Sequence, residues 1–153
     1  MSRSGADLAL LLLGGFRLMV DAATTELASR GYPDFKPAHE FALRAIVAGA
    51  DSASDLGRRT AVTKQAAAKT IAVLTERGYV VSAPDPGDAR RKRLQVTERG
   101  FDAMAQGEAI LDRVRSEWEK KIGHAEVAKL QAQLATLVGD AAVRLDAPGW
   151  VAS

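Results

Sequence analysis

The sequence predicts a mainly α-helical fold with one small β-hairpin, helices at both ends of the chain and a compact basic motif between them. Three observations carry that expectation. Apolar residues recur at steps of three and four over long stretches near both termini. One turn-rich segment, Pro84 to Asp88, is flanked by β-prone runs. Charge is unevenly placed: residues 51 to 100 hold 10 Lys and Arg against 6 Asp and Glu, while the remaining residues hold 11 against 13. A basic middle between mildly acidic flanks suggests a polyanion-binding segment carried by elements with another task. At 153 residues the chain suits one domain, and 47% hydrophobic with 26% charged residues is an ordinary globular composition.

From Asp7 to Arg30 the positions Leu8, Leu11, Leu12, Leu18, Met19, Ala22, Ala23 and Leu27 fit a helical repeat that Gly31 stops. So many leucines exceed what one face of a small domain needs, and the surplus implies burial against a second chain. The apolar run Leu8 to Phe16 is bounded by Asp7 and Arg17, well short of the roughly 20 residues a bilayer crossing takes, so it reads as a buried helix face. With no export signal evident, the expected location is cytoplasmic, away from membranes.

Pro33 and Pro37 break the pattern, and Pro37 is placed to open a helix running through Phe41, Ala42, Ala45 and Ile46 until Gly49. Ser52-Ala53-Ser54-Asp55 has the form of a capping box and should start a short helix, Ala53 to Arg59, anchored by Leu56. Thr63 can cap a further helix from Lys64 to Arg77, with Ala67, Ile71 and Leu74 inward and Gly78 as its stop. Tyr79 to Ser82, the turn residues, Arg90 to Arg93 and Leu94 to Thr97 then read as a hairpin with a basic tip. A long helix begins at Thr97 and Glu98 and carries Phe101, Met104, Leu111, Val114, Trp118 and Ile122 before Gly123 interrupts it. The last helix carries Val127, Leu130, Leu134, Leu137 and Leu145, and Pro148-Gly149 begins a short tail.

Two short helices joined by a tight turn and followed by a basic hairpin make a winged helix-turn-helix. Such a lobe lays its second helix in the major groove of DNA while the wing follows the backbone toward the minor groove. Lys64, Gln65, Ala68 and Lys69 fall away from the inward positions of the second helix. Gln pairs bidentately with adenine, Lys reaches guanine or phosphate, and the methyl of Ala66 or Ala68 can meet a thymine methyl. Arg90, Arg91, Lys92 and Arg93 would contact groove or phosphate, with Asp88 orienting an arginine by a salt bridge. A solvated turn is the plainer reading of the same charge run.

The sequence also resembles a known family, the MarR-type transcriptional regulators. The resemblance rests on Ser54-Asp55-Leu56, on Val62-Thr63-Lys64-Gln65-Ala66, and on Leu74-Thr75-Glu76-Arg77-Gly78-Tyr79-Val80. It continues through the wing Pro84-Asp85-Pro86-Gly87-Asp88-Ala89-Arg90 and through Leu94-Gln95-Val96-Thr97-Glu98-Arg99-Gly100. It implies one MarR-like domain over 1–153, with dimerisation helices at 1–35 and 101–147 around a winged lobe at 36–100. It further implies a dimeric repressor on a pseudo-palindromic operator of double-stranded DNA, released by a small, often aromatic or phenolic, ligand. Thr63 joins the DNA-binding set, and Phe16, Phe35, His39 and Phe41 are the candidate lining of a ligand cleft. Two departures stand out: Gly57 where the family commonly has Ala, expected to loosen that helix, and Ala68 where it often has Ser or Thr.

Other functions find little support. Without cysteine there is no thiol chemistry, and His39 and His124 form no metal-ligand spacing. Gly14-Gly15 sits in an apolar helix and makes no phosphate loop, and no nucleophile or paired-carboxylate motif appears. No enzyme activity, cofactor or metal is expected. The rival readings are a winged-helix module that binds protein rather than DNA, and a regulator without a ligand.

Overall fold

A computed structural model describes residues 4–139, so Leu145 and the Pro148-Gly149 tail lie outside the described residues. The described chain holds α1 (Gly5–Ser29), α2 (Pro37–Val47), α3 (Ala53–Thr60), α4 (Lys64–Glu76), β1 (Val80–Asp85), β2 (Asp88–Val96), α5 (Glu98–Ile122) and α6 (His124–Val138). It divides into two units, one holding residues 4–35 with 106–131, the other residues 36–105 with 132–139. The first division falls at Phe35 and the second inside α5, five residues beyond the expected end of the lobe.

The second unit holds the helix-turn-helix and the hairpin. Pro37 opens α2, and the Nδ1 atom of His39 accepts the Lys36 backbone N–H at 3.0 Å, so this buried histidine caps its own helix. Ser52 accepts the Asp55 N–H at 3.1 Å and Thr63 the Ala66 N–H at 3.0 Å, which sets the starts of α3 and α4 where the sequence placed them. Leu43 of α2, Leu56 of α3, Leu74 of α4 and Tyr79 and Val80 at the hairpin entry are all buried, giving this unit one apolar core.

Gly57 corrects an expectation. A methyl group there would lie 2.9 Å from the Val62 carbonyl oxygen and 3.3 Å from that of Thr63. The missing side chain therefore lets α3 close onto the turn into α4, and the Val62 N–H donates to the Gly57 carbonyl at 2.9 Å. Gly57 tightens this corner where it was expected to loosen the helix. The same turn holds Ala61 at φ 54°, a left-handed conformation that disfavours a β-carbon.

In the first unit, α1 meets α5 through small residues and one ion-pair cluster. A β-carbon at Gly15 would sit 3.5 Å from the Trp118 ring, and one at Gly107 3.6 Å from Leu27. Glu26 accepts hydrogen bonds from Arg113 of α5 and from Arg30, and Arg113 foremost holds its carboxyl down at about 2 against a partial burial cost. Gly123, at φ 103°, separates α5 from α6, and Val127 is buried just beyond it.

Along its N-terminal half, α1 leaves Leu8, Leu10, Leu11 and Leu18 at least 60% exposed. The whole of α1 is long and apolar enough to cross a membrane by length and composition, which the shorter run Leu8 to Phe16 alone did not suggest. The same helix carries Arg17, Asp21 and Glu26, and the last of these is tied to α5.

Candidate nucleic-acid interface

In α4 successive residues turn by about 100°, which gathers positions 64, 65, 68 and 69 into one arc and 67, 71 and 74 into a separate one. The burial follows that arithmetic: Ala67 and Leu74 are buried and Ile71 half-buried, while Lys64, Gln65, Ala66, Ala68 and Lys69 are all exposed. The structure therefore brings the predicted reading residues onto one open face. Thr63 is exposed as well, but its hydroxyl oxygen is already used in capping the helix. No acidic residue stands in the first turn of α4, so the positive end of its dipole is uncompensated and adds to the two lysines.

The hairpin differs from its expected shape. β1 runs through Pro84 to Asp85, and the tight turn is Pro86-Gly87, so Arg90 to Arg93 lie on strand β2 and not at the tip. Antiparallel pairing is regular from Val80↔Val96 to Pro84↔Lys92 and then jumps to Asp85↔Asp88. Ala89, Arg90 and Arg91 consequently have no partner across the ladder and form a bulged segment. Arg90, Arg91 and Lys92 are exposed and Arg93 is half-buried.

Asp88 also plays another part than the salt bridge expected of it. Its carboxylate accepts the Arg90 backbone N–H at 3.0 Å, and that of Asp85 accepts the Gly87 N–H at 2.9 Å. Both acids pin the backbone of the bulge and turn, which leaves the guanidinium groups outward.

One basic residue escaped the sequence reading. Arg58 of α3, whose side chain is 77% exposed, is held at 2.9 Å by Asp55, and Arg59 joins Asp55 to the Ala48 carbonyl. Burial works to raise the Asp55 carboxyl, but Arg58 and Arg59 outweigh it and hold it below its usual range. The signal was the spacing of Asp55 three and four residues before two arginines. The ligand candidates are divided between the units: Phe16, exposed, and Phe35, buried, in the first, and His39, buried, and Phe41, half-buried, in the second. An open groove along α1 in the first unit, lined by Asp21, Ala22, Thr25, Glu26, Ser29 and Arg113, includes none of the four.

A MarR family model matches residues 34–91, which contain α2, α3, α4, β1 and the start of β2. Over this lobe, less than half of its length, the chain is similar to the MarR family. The matched residues are those of the helix-turn-helix and the first part of the hairpin. No curated protein matches the sequence. Among solved structures, a MepR variant of S. aureus is 15% identical, with a TM-score of 0.67 over 88% of this chain and 96% of that one. CouR from Rhodococcus jostii, bound to p-coumaroyl-CoA, is 20% identical with a TM-score of 0.63 over 91% and 97%. A second MepR variant, bound to an oligodeoxyribonucleotide, is 16% identical with a TM-score of 0.58 over 86% and 95%. At these identities the MarR fold is what is shared.

Proposed function

We propose that this protein is a dimeric repressor of MarR type that binds a pseudo-palindromic operator through two winged lobes and is released by a small aromatic or phenolic molecule. The observation that carries the DNA half is the open face of Lys64, Gln65, Ala68 and Lys69 followed by the bulged, outward Arg90 and Arg91. Dimerisation is supported by the exposed leucines of α1, among them Leu11 at 71% exposure, which a second copy would cover. The oligonucleotide in the MepR variant and the p-coumaroyl thioester in CouR favour DNA and aromatic ligand chemistry for this chain too. Phe16, Phe35, His39 and Phe41 are the residues proposed to hold the ligand. Binding equilibria alone carry this function, with no catalytic step, and it operates in the cytoplasm where the chromosome is.

The test has three arms. Fragments of the protein's own genome are passed over the protein, and the retained DNA is sequenced. A recurrent inverted repeat with half-sites about one helical turn apart is expected. Retention without sequence preference would refute the operator. Sedimentation should give twice 16.2 kDa, and a DNA-binding monomer would refute the dimer. Salicylate and p-coumaroyl-CoA, titrated into the operator complex, should release the DNA; no effect from either would refute aromatic release.

A further inference from the structure

Where recognition helix α4 ends, the chain turns back through Gly78, at φ 79°, with the Gly78 N–H on the Thr75 carbonyl at 3.1 Å and the Tyr79 N–H on the Leu74 carbonyl at 2.8 Å. These bonds close the helix but do not say where it points. That is set by what grips the three residues Arg77 to Tyr79 from outside.

The grip comes from the start of α5, about 20 residues later in the chain. Thr97 Oγ1 donates to the Gly78 carbonyl at 2.6 Å and accepts the Gly100 N–H at 3.1 Å, so one hydroxyl both caps α5 and ties it to the end of α4. The Thr97 N–H donates to the Tyr79 carbonyl at 3.0 Å. Arg99 Nε donates to the Arg77 carbonyl at 3.3 Å, and its guanidinium carbon lies 5.2 Å from the centre of the Tyr79 ring. Gly100 lets the two backbones meet: a β-carbon there would fall 2.4 Å from the Tyr79 carbonyl oxygen. Three consecutive carbonyls just past the end of α4 are thus held by two residues, Thr97 and Arg99, and Gly100 leaves room for the approach.

We propose that Thr97, Arg99 and Gly100 form a clasp that positions recognition helix α4, making operator selectivity depend on residues that need not touch DNA. This rests on the DNA-binding reading above. The clasp is directional. Hydrogen bonds and a close backbone approach fix α4 at its C-terminal end, and small changes there swing Gln65 and Lys69 across the base edges. Phosphate contacts tolerate such a swing because charge acts at longer range than a bidentate pair.

The test compares the wild-type protein with Thr97→Val, which keeps the shape but loses the hydroxyl, and Thr97→Ser, which restores it. Each is titrated with the retained operator and with a random duplex of equal length, at one salt concentration. Thr97→Val should lower operator affinity about tenfold while leaving the random duplex within about twofold, and Thr97→Ser should bind as the wild type does. Equal losses on both duplexes, or none on either, would overturn the clasp. If Thr97→Val fails to fold, Arg99→Met serves. Charge loss alone weakens both duplexes alike and would overturn the proposal, whereas a selective loss on the operator supports it. A wild-type protein with no preference between duplexes would overturn the regulator reading itself, and the clasp with it.

Discussion

Three glycines allow the packing to be tested as a graded series, because replacing each by alanine adds the same methyl group to a different space. At Gly107, inside α5, the new β-carbon meets Leu27 at 3.6 Å, an ordinary contact. At Gly57 it meets the Val62 carbonyl oxygen at 2.9 Å, and at Gly100 the Tyr79 carbonyl oxygen at 2.4 Å with Val96 Cγ1 at 2.6 Å. Every substitution gains up to about 1 kcal/mol of helix propensity. Against that gain, overpacking costs roughly 1 to 3 kcal/mol, rising with overlap and with the stiffness of what is struck. Gly107→Ala should therefore stabilise the protein by up to about 1 kcal/mol, since it meets only the end of a side chain. Gly57→Ala should lose about 1 kcal/mol and Gly100→Ala about 2, because both strike backbone carbonyls. At about 2 to 4 °C per kcal/mol for a chain of this size, Gly107→Ala and Gly100→Ala should melt about 6 to 12 °C apart. Thermal unfolding at one fixed protomer concentration reads the series, since assembly makes the midpoint concentration-dependent. A Gly100→Ala protein as stable as Gly107→Ala would refute the reasoning.

The remaining predictions concern the turn, the DNA face and the ion pair. Ala61→Gly should raise stability by roughly 0.5 to 1 kcal/mol in urea unfolding, because the left-handed conformation at φ 54° costs alanine more than glycine; a loss would mean the turn is not strained. Gln65→Ala should cost roughly 1 to 3 kcal/mol on the operator and little on random DNA, whereas Arg90→Ala should weaken binding to every duplex and flatten the salt slope by about one unit per phosphate contact. Titrations over a range of salt that gave the two variants the same profile would sink that division of labour. The Glu26 carboxyl is lowered from 4.5 to about 2, so the stability it contributes is complete above its unfolded value and is lost as pH falls through the folded one. In acid unfolding, wild type should lose its advantage over Glu26→Gln between those two values, and parallel curves would contradict the ion pair.

What could be read in the sequence was whatever depends on neighbours in the chain. Ser52, Thr63 and Pro37 announced helix starts because a cap acts over three residues, and Gly31, Gly49, Gly78 and Gly123 announced ends because a positive φ is local. The exposed face of α4 followed from helical geometry alone. The hairpin was misread at Pro84, taken for turn. In a two-stranded sheet every strand is an edge, so a residue without an N–H can remain in the ladder opposite Lys92. Asp88 was given a guanidinium partner because charge suggests one, yet the backbone N–H two residues on is the closer donor.

The residues least legible in sequence are those whose meaning is set by a carbonyl elsewhere in the lobe. Gly57 looked like a weak point in a helix, since propensity counts only the helix itself; its use appears once the Val62 carbonyl is found where a methyl would be. Gly100 and Thr97 looked like an ordinary helix start, and only the distance to Gly78 and Tyr79 connects them to α4. The two glycines close opposite ends of the recognition helix, Gly57 at its entry beside the Lys64 N–H and Gly100 at its exit. A helix gripped at both ends by backbone can change its exposed side chains without changing its place. On the proposed function, that separation lets Lys64, Gln65, Ala68 and Lys69 set operator choice while the lobe around them stays the same.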